Sequence, residues 1–166
     1  MRNGGFEDGS RHWRPGLGTV FHSAIDSDGG LSGRLQIHAS AYLSRTPAVM
    51  RVDQAIDTSA LPQWRPAASP RAVRRFVVAA WSRIENLFGE VASVTYRLAA
   101  EAHCADGAVV RGAADYAVNQ YGWQFRSFSL EMAPSADVVR VTVMCILAGH
   151  RGAVFFDNVT VVEDVS

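Results

Sequence analysis

Trp81 stands between Arg75 and Arg83 in the segment Arg-Arg-Phe-Val-Val-Ala-Ala-Trp-Ser-Arg, residues 74–83. Residues two apart share a face of an extended strand. Arg75, Val77, Trp81 and Arg83 therefore fall on one side and Phe76, Val78, Ala80 and Ile84 on the other. A broad aromatic ring flanked by guanidinium groups has the chemistry of a sugar platform. The ring stacks on the apolar side of a pyranose while the polar neighbours reach its hydroxyls. Tyr116, Asn119, Gln120 and Tyr121 cluster between two strands and are candidates to line the same sheet. The alternative for Trp81 is a packing role beneath a loop, with its arginines solvated. Trp64 and Arg65 lie in Leu-Pro-Gln-Trp-Arg-Pro, residues 61–66. A proline-stiffened loop exposes such residues as contact anchors, for a sugar or for a neighbouring protein subunit.

Glu7 and Asp157 sit near opposite ends of the chain. If the first and last strands pair, the two carboxylates approach each other without a nearby cationic side chain, and such a pair needs a cation or a proton. The other reading is that Glu7 caps a turn and Asp157 bonds backbone at a strand end. Asp26-Ser27-Asp28-Gly29-Gly30 resembles the start of a calcium loop but lacks the distal Glu and the flanking helices, so it reads as a turn. The five His residues are scattered without ligand spacing. No nucleophile elbow, HExxH or phosphate-binding loop occurs, and no carboxylate pair suggests glycoside hydrolysis. The expectation is a protein that is not an enzyme.

These side chains must be positioned by strands. Tyr96, Leu98, Ala100, Ala102 and Cys104 alternate with more polar residues, as do Val139, Val141, Val143, Cys145 and Leu147. That period of two marks strands with one face on a core. Nine strands are expected, over 17–25, 33–39, 49–56, 72–84, 93–104, 108–118, 121–131, 137–147 and 153–162. Asp106-Gly107 predicts a tight hairpin, and 148–152 is read as joining the last two strands in the same manner. A short helical turn is conceivable over 84–91, and Pro62, Pro66 and Pro70 make 57–71 a long loop. The pattern predicts an all-β fold, a jelly-roll β-sandwich of about nine antiparallel strands, in a single domain spanning 1–166.

Composition limits the function further. The chain has 166 residues, 16 basic and 16 acidic, and every basic residue is Arg. Without Lys there is no Schiff-base or phosphate-loop chemistry. Balanced charge provides no field for nucleic acid and argues against a polyanion as ligand. No apolar run is long enough to insert in a membrane. Cys104 and Cys145 are expected as buried thiols. No apolar segment follows Met1, so no secretory signal is read; a full-length chain would belong in a virion or the cytoplasm, an excised module outside the cell.

Several motifs then carry a resemblance. Asn3-Gly4-Gly5-Phe6-Glu7-Asp8-Gly9 followed by Trp13 resembles the opening of the family 4/9/22-type carbohydrate-binding modules, which are galactose-binding-like jelly rolls. Phe155-Phe156-Asp157-Asn158-Val159 is similar to their closing strand. Ser32–Ile37, Phe76–Arg83, Trp123–Leu130 and Pro134–Val141 resemble the intervening strands in order. The resemblance implies a structural Ca²⁺ held by Glu7, Asp157 and the main-chain oxygen of Gly33, and structural roles for Trp13 and Trp123. It implies a non-catalytic module whose partner is a polysaccharide or cell-surface glycan. A bacteriophage virion component, in capsid decoration or tail, is the alternative; its partners would be neighbouring virion subunits.

Overall fold

The computed structural model describes residues 11–14, 19–25, 31–39, 50–57, 74–88, 95–133, 136–148 and 151–165. Nine strands lie among them: β1 (Thr19–Ile25), β2 (Leu31–Ala39), β3 (Met50–Asp57), β4 (Arg74–Phe88), β5 (Thr95–Cys104), β6 (Val109–Asp115), β7 (Gln124–Met132), β8 (Val138–Ala148) and β9 (Arg151–Val165). They form a five-stranded sheet ordered β1-β2-β9-β4-β7 and a four-stranded sheet ordered β3-β8-β5-β6. Every pairing between them is antiparallel.

The alternating residues point where their hydrophobicity requires. Phe76, Val78, Ala80 and Ile84 of β4 meet Leu98, Ala100 and Ala102 of β5 and Val141, Val143 and Cys145 of β8 in one core. Trp13 joins it, as expected. Cys104 and Cys145 are buried free thiols, not a disulfide. The hairpin at Asp106-Gly107 forms: Gly107 has φ 88°, its N–H donates to the Cys104 carbonyl at 3.0 Å, and the Ala108 N–H donates to Asp106 Oδ1 at 2.9 Å.

Four expectations require correction. The segment after Ile84 is no helical turn, because β4 continues to Phe88. β8 and β9 lie in different sheets, so they do not form the expected hairpin. The first described strand does not pair with the last: β1 pairs with β2, and β9 is inserted between β2 and β4. The expected reach of β6 to 118 is also too long, since pairing ends at Asp115 and the chain turns inward at Tyr116.

A bulge in β9 sets the orientation of the outer surface. Ala79 pairs with Thr160 and Trp81 with Asp157, so β9 carries one residue more than β4 between these pairs. Asn158 takes φ 49° there, a left-handed conformation that Asn tolerates better than most side chains. The extra residue reverses the phase of β9. Val154 and Phe156 face the core before it, Val159 and Val161 after it.

Candidate ligand-binding face

A sandwich has two outer faces, and here they differ in chemistry. On the four-stranded sheet the outward side chains of β5 and β6 neutralise each other. Arg97 donates to both oxygens of Asp115, at 2.8 and 3.2 Å. Arg111 donates to Glu101 at 2.9 Å, and His103 Nε2 lies 3.5 Å from the same carboxylate. That is an ordinary solvated surface.

The five-stranded sheet instead exposes rings. Trp81 on β4 is 41% exposed and Phe125 on β7 is 48% exposed. The two are directly opposed across the strands, with ring centroids 5.3 Å apart and planes tilted by 52°. On its other side Trp81 is opposite Asp157 of β9, whose Oδ1 accepts the Asn158 N–H at 2.7 Å. Arg83, two residues along β4, is opposite Phe155. Its guanidinium carbon lies 4.8 Å from the centroid of that ring and 5.3 Å from that of Trp123. Three adjacent strands thus bring Phe125, Trp81, Asp157, Arg83 and Phe155 into two neighbouring rows.

The residues beneath hold this patch in place. Ala80 and Ser82 flank Trp81 and are wholly buried. Ser82 Oγ donates to the Phe155 carbonyl and therefore accepts from Tyr96 Oη, a contact of 2.5 Å. Tyr116 Oη donates to the Ala80 carbonyl at 3.0 Å, at the position where the β9 bulge interrupts pairing. Burial pushes the pKa of both phenols well above its ordinary value, so they remain neutral donors. The loop from β6 to β7 is tied by Gln124. Its side chain accepts the Ala117 N–H at 2.8 Å and donates to the Ala117 and Gln120 carbonyls at 2.9 and 3.1 Å.

Most of the expected ligand-binding residues can now be placed. Trp81 and Arg83 are neighbours on the outer face. Arg75 shares that face but lies six residues away, about 20 Å along the strand, and is occupied by Glu131 at 3.4 Å and Asp164 at 3.9 Å. Tyr121 is 66% exposed in the loop that Gln124 ties. Tyr116 is a correction. It does not line the outer sheet, being 4% exposed and stacked on Tyr96 with centroids 4.8 Å apart inside the core. Phe125 was not singled out from the sequence, and Trp123 was assigned a structural role only. Trp123 is 36% exposed and covers Arg83. The signal for both was Trp123-Gln124-Phe125, aromatic at alternate positions beginning a strand.

Of the expected metal ligands, Glu7 lies outside the described residues, as do Trp64 and Arg65. Asp157 is on the outer face beside Trp81. Gly33, opposite Ser23, lies two residues beyond Leu35, the β2 residue that pairs with Phe156. Among the described residues no three His, Cys, Asp or Glu side chains gather as a metal site.

The sequence matches no family model and no curated protein. Solved structures do resemble it. TmCBM61 in complex with β-1,4-galactotriose superposes with a TM-score of 0.58 at 16% identity, over 99% of this chain and 97% of that one. A family 16 carbohydrate-binding module gives 0.58 at 17%, over 96% of each chain. The chain has the jelly-roll fold of carbohydrate-binding modules. A third match lies within the enzymatically active domain of bacteriophage CBA120 tailspike protein 4, with a TM-score of 0.61 and 14% identity. The match covers 99% of this chain but spans only 21% of the tailspike chain.

Proposed function

We propose that this protein is a non-catalytic glycan-binding module that holds its ligand on the outer face of the five-stranded sheet. The observation that carries the reading is the exposure of Trp81 beside Phe125, with Arg83 and Asp157 at its edges. Ring faces take the apolar side of a sugar, and a guanidinium and a carboxylate supply donors and acceptors for its hydroxyls. Full-length similarity to carbohydrate-binding modules supports it, although one fold hosts many functions.

Affinity electrophoresis through gels containing different polysaccharides tests the proposal. The protein is expected to be retarded by at least one of them, and Trp81→Ala to abolish the retardation. Trp81 is 41% exposed, so its loss should destabilise by well under the ~3–5 kcal/mol of a buried Trp. No retardation by any polysaccharide would overturn the reading.

A second reading draws on the tailspike similarity: the same fold packs against neighbouring subunits of a virion. It predicts retention on no polysaccharide, together with self-association or capture by virion proteins that does not depend on Trp81.

We also propose a structural Ca²⁺ where β2 and β9 meet. Asp157, the Gly33 carbonyl and Glu7 would supply hard oxygen ligands, the donor type this ion prefers. Asp157 and Gly33 belong to adjacent strands, so the ion would cross-link them to the N-terminal segment that carries Glu7.

A further inference from the structure

We propose that the glycan taken by this face is acidic, with a uronate carboxylate seated on Arg83; the inference rests on the glycan-binding reading above. Arg83 has no counter-charge among the described residues, unlike five other arginines. Arg14 lies 3.0 Å from Asp53, Arg74 2.7 Å from Glu163, Arg75 3.4 Å from Glu131, Arg97 2.8 Å from Asp115 and Arg111 2.9 Å from Glu101. No carboxylate stands within ion-pairing distance of Arg83 among the described residues. Its Nε is buried and has no hydrogen-bond partner. What faces the guanidinium instead is the pair of rings of Trp123 and Phe155.

Ring faces attract a cation but accept none of its in-plane hydrogen bonds. They also shield the guanidinium from water, and its donors are left for a ligand. A planar carboxylate matches those donors with two parallel hydrogen bonds, and a charge-assisted pair is roughly twice as strong as a neutral one. A sugar hydroxyl would engage the same donors with a weaker, single bond. Asp157 is opposite Trp81 and not Arg83, and Glu85 lies two residues further along β4, at the second irregularity in its pairing with β9. Neither carboxylate pairs with the guanidinium, which gives the acid group the position beside Trp123 and Phe155. The balanced charge of the chain argues against a polyanion held by a long-range field, not against a carboxylate held by contact. A polyanion drawn by a long-range field needs a cationic surface; one carboxylate read by contact needs one arginine.

The test uses paired polymers that differ in charge alone. Polygalacturonate and its fully methyl-esterified form, alginate, dextran sulfate and a range of neutral polysaccharides are placed on one array. The array is probed with the wild-type protein, Arg83→Gln, Arg83→Lys and Trp81→Ala at low and high salt. The expected result is retention on uronate polymers, weakened by salt and at least tenfold weaker on the methyl ester. Arg83→Gln should remove the preference for the acid form while thermal unfolding confirms that it folds; Arg83→Lys, which keeps the charge but not the fork, should be intermediate. Trp81→Ala should lose all binding. Retention confined to neutral polymers, equal retention of acid and ester, or retention on dextran sulfate without uronates would overturn the inference and leave the glycan-binding reading standing. Retention on nothing would overturn both.

Discussion

Tyr116 and Trp81 show how one residue type and its neighbours decide between core and surface. Both are aromatic residues followed or preceded by polar ones, and from the sequence both were candidates for the ligand face. The difference lies in what each ring finds. Tyr116 follows the last paired residue of β6 and turns inward, where it stacks on Tyr96 and meets Phe156 edge-on at 5.7 Å. Its hydroxyl has a buried carbonyl to bond, that of Ala80. Trp81 has Ala80 and Ser82 on the core side and so must point out. Tyr116→Phe leaves the packing intact but strands the Ala80 carbonyl without its donor, a loss of about 1–2 kcal/mol. Chemical denaturation should show that loss as a lower midpoint with an unchanged slope. An unchanged midpoint would mean that the carbonyl finds another donor, and that the phenol does not hold β4 beneath the platform.

At the scale of elements, the strands were legible and their arrangement was not. Alternation is a local property, so β5, with Tyr96, Leu98, Ala100 and Ala102 facing one way, can be read directly from its residues. Which strand lies beside which depends on long-range pairing that no local pattern encodes; β9 therefore separates β2 from β4 although the three are distant in sequence. The β9 bulge is an intermediate case. The core residues of that strand change from even to odd numbers between Phe156 and Val159, and Asp157-Asn158 is the kind of pair that tolerates the left-handed turn required. That shift brings Asp157 opposite Trp81, on the strand beside β2 where the proposed ion would bind. Calcium there would tie β2, β9 and the N-terminal segment together, and binding to the native state alone adds stability by mass action. A chelator should therefore lower the thermal midpoint by several degrees, and added Ca²⁺ but not Mg²⁺ should restore it. A midpoint unmoved by chelator would remove the ion from the account and leave Asp157 to the ligand face.

At the scale of the whole molecule, the two sheets are joined by buried phenols as well as by hydrocarbon. Tyr96, from the four-stranded sheet, reaches Ser82 of β4, and Tyr116, which follows β6, reaches Ala80. Burial raises the pKa of both above the ordinary 10.0 and that of the Cys145 thiol above 9.0. A raised folded-state pKa means that the native state holds its proton where the unfolded chain releases it. The stability these groups contribute is thus complete below the unfolded values and is lost as pH climbs past them. Denaturant midpoints should be insensitive to these three groups up to about pH 8 and fall steeply from about pH 9 to 11, approaching ~1.4 kcal/mol per pH unit for each group released on unfolding. Tyr116→Phe should flatten the fall by one group's share, although it lowers the starting stability. Tyrosinate absorbance in the near ultraviolet from Tyr96 and Tyr116 should rise only together with the loss of strand signal. A phenolate signal from either buried residue before unfolding would mean that water reaches the space between the sheets. The contacts beneath Trp81 would then be far looser than their hydrogen bonds require.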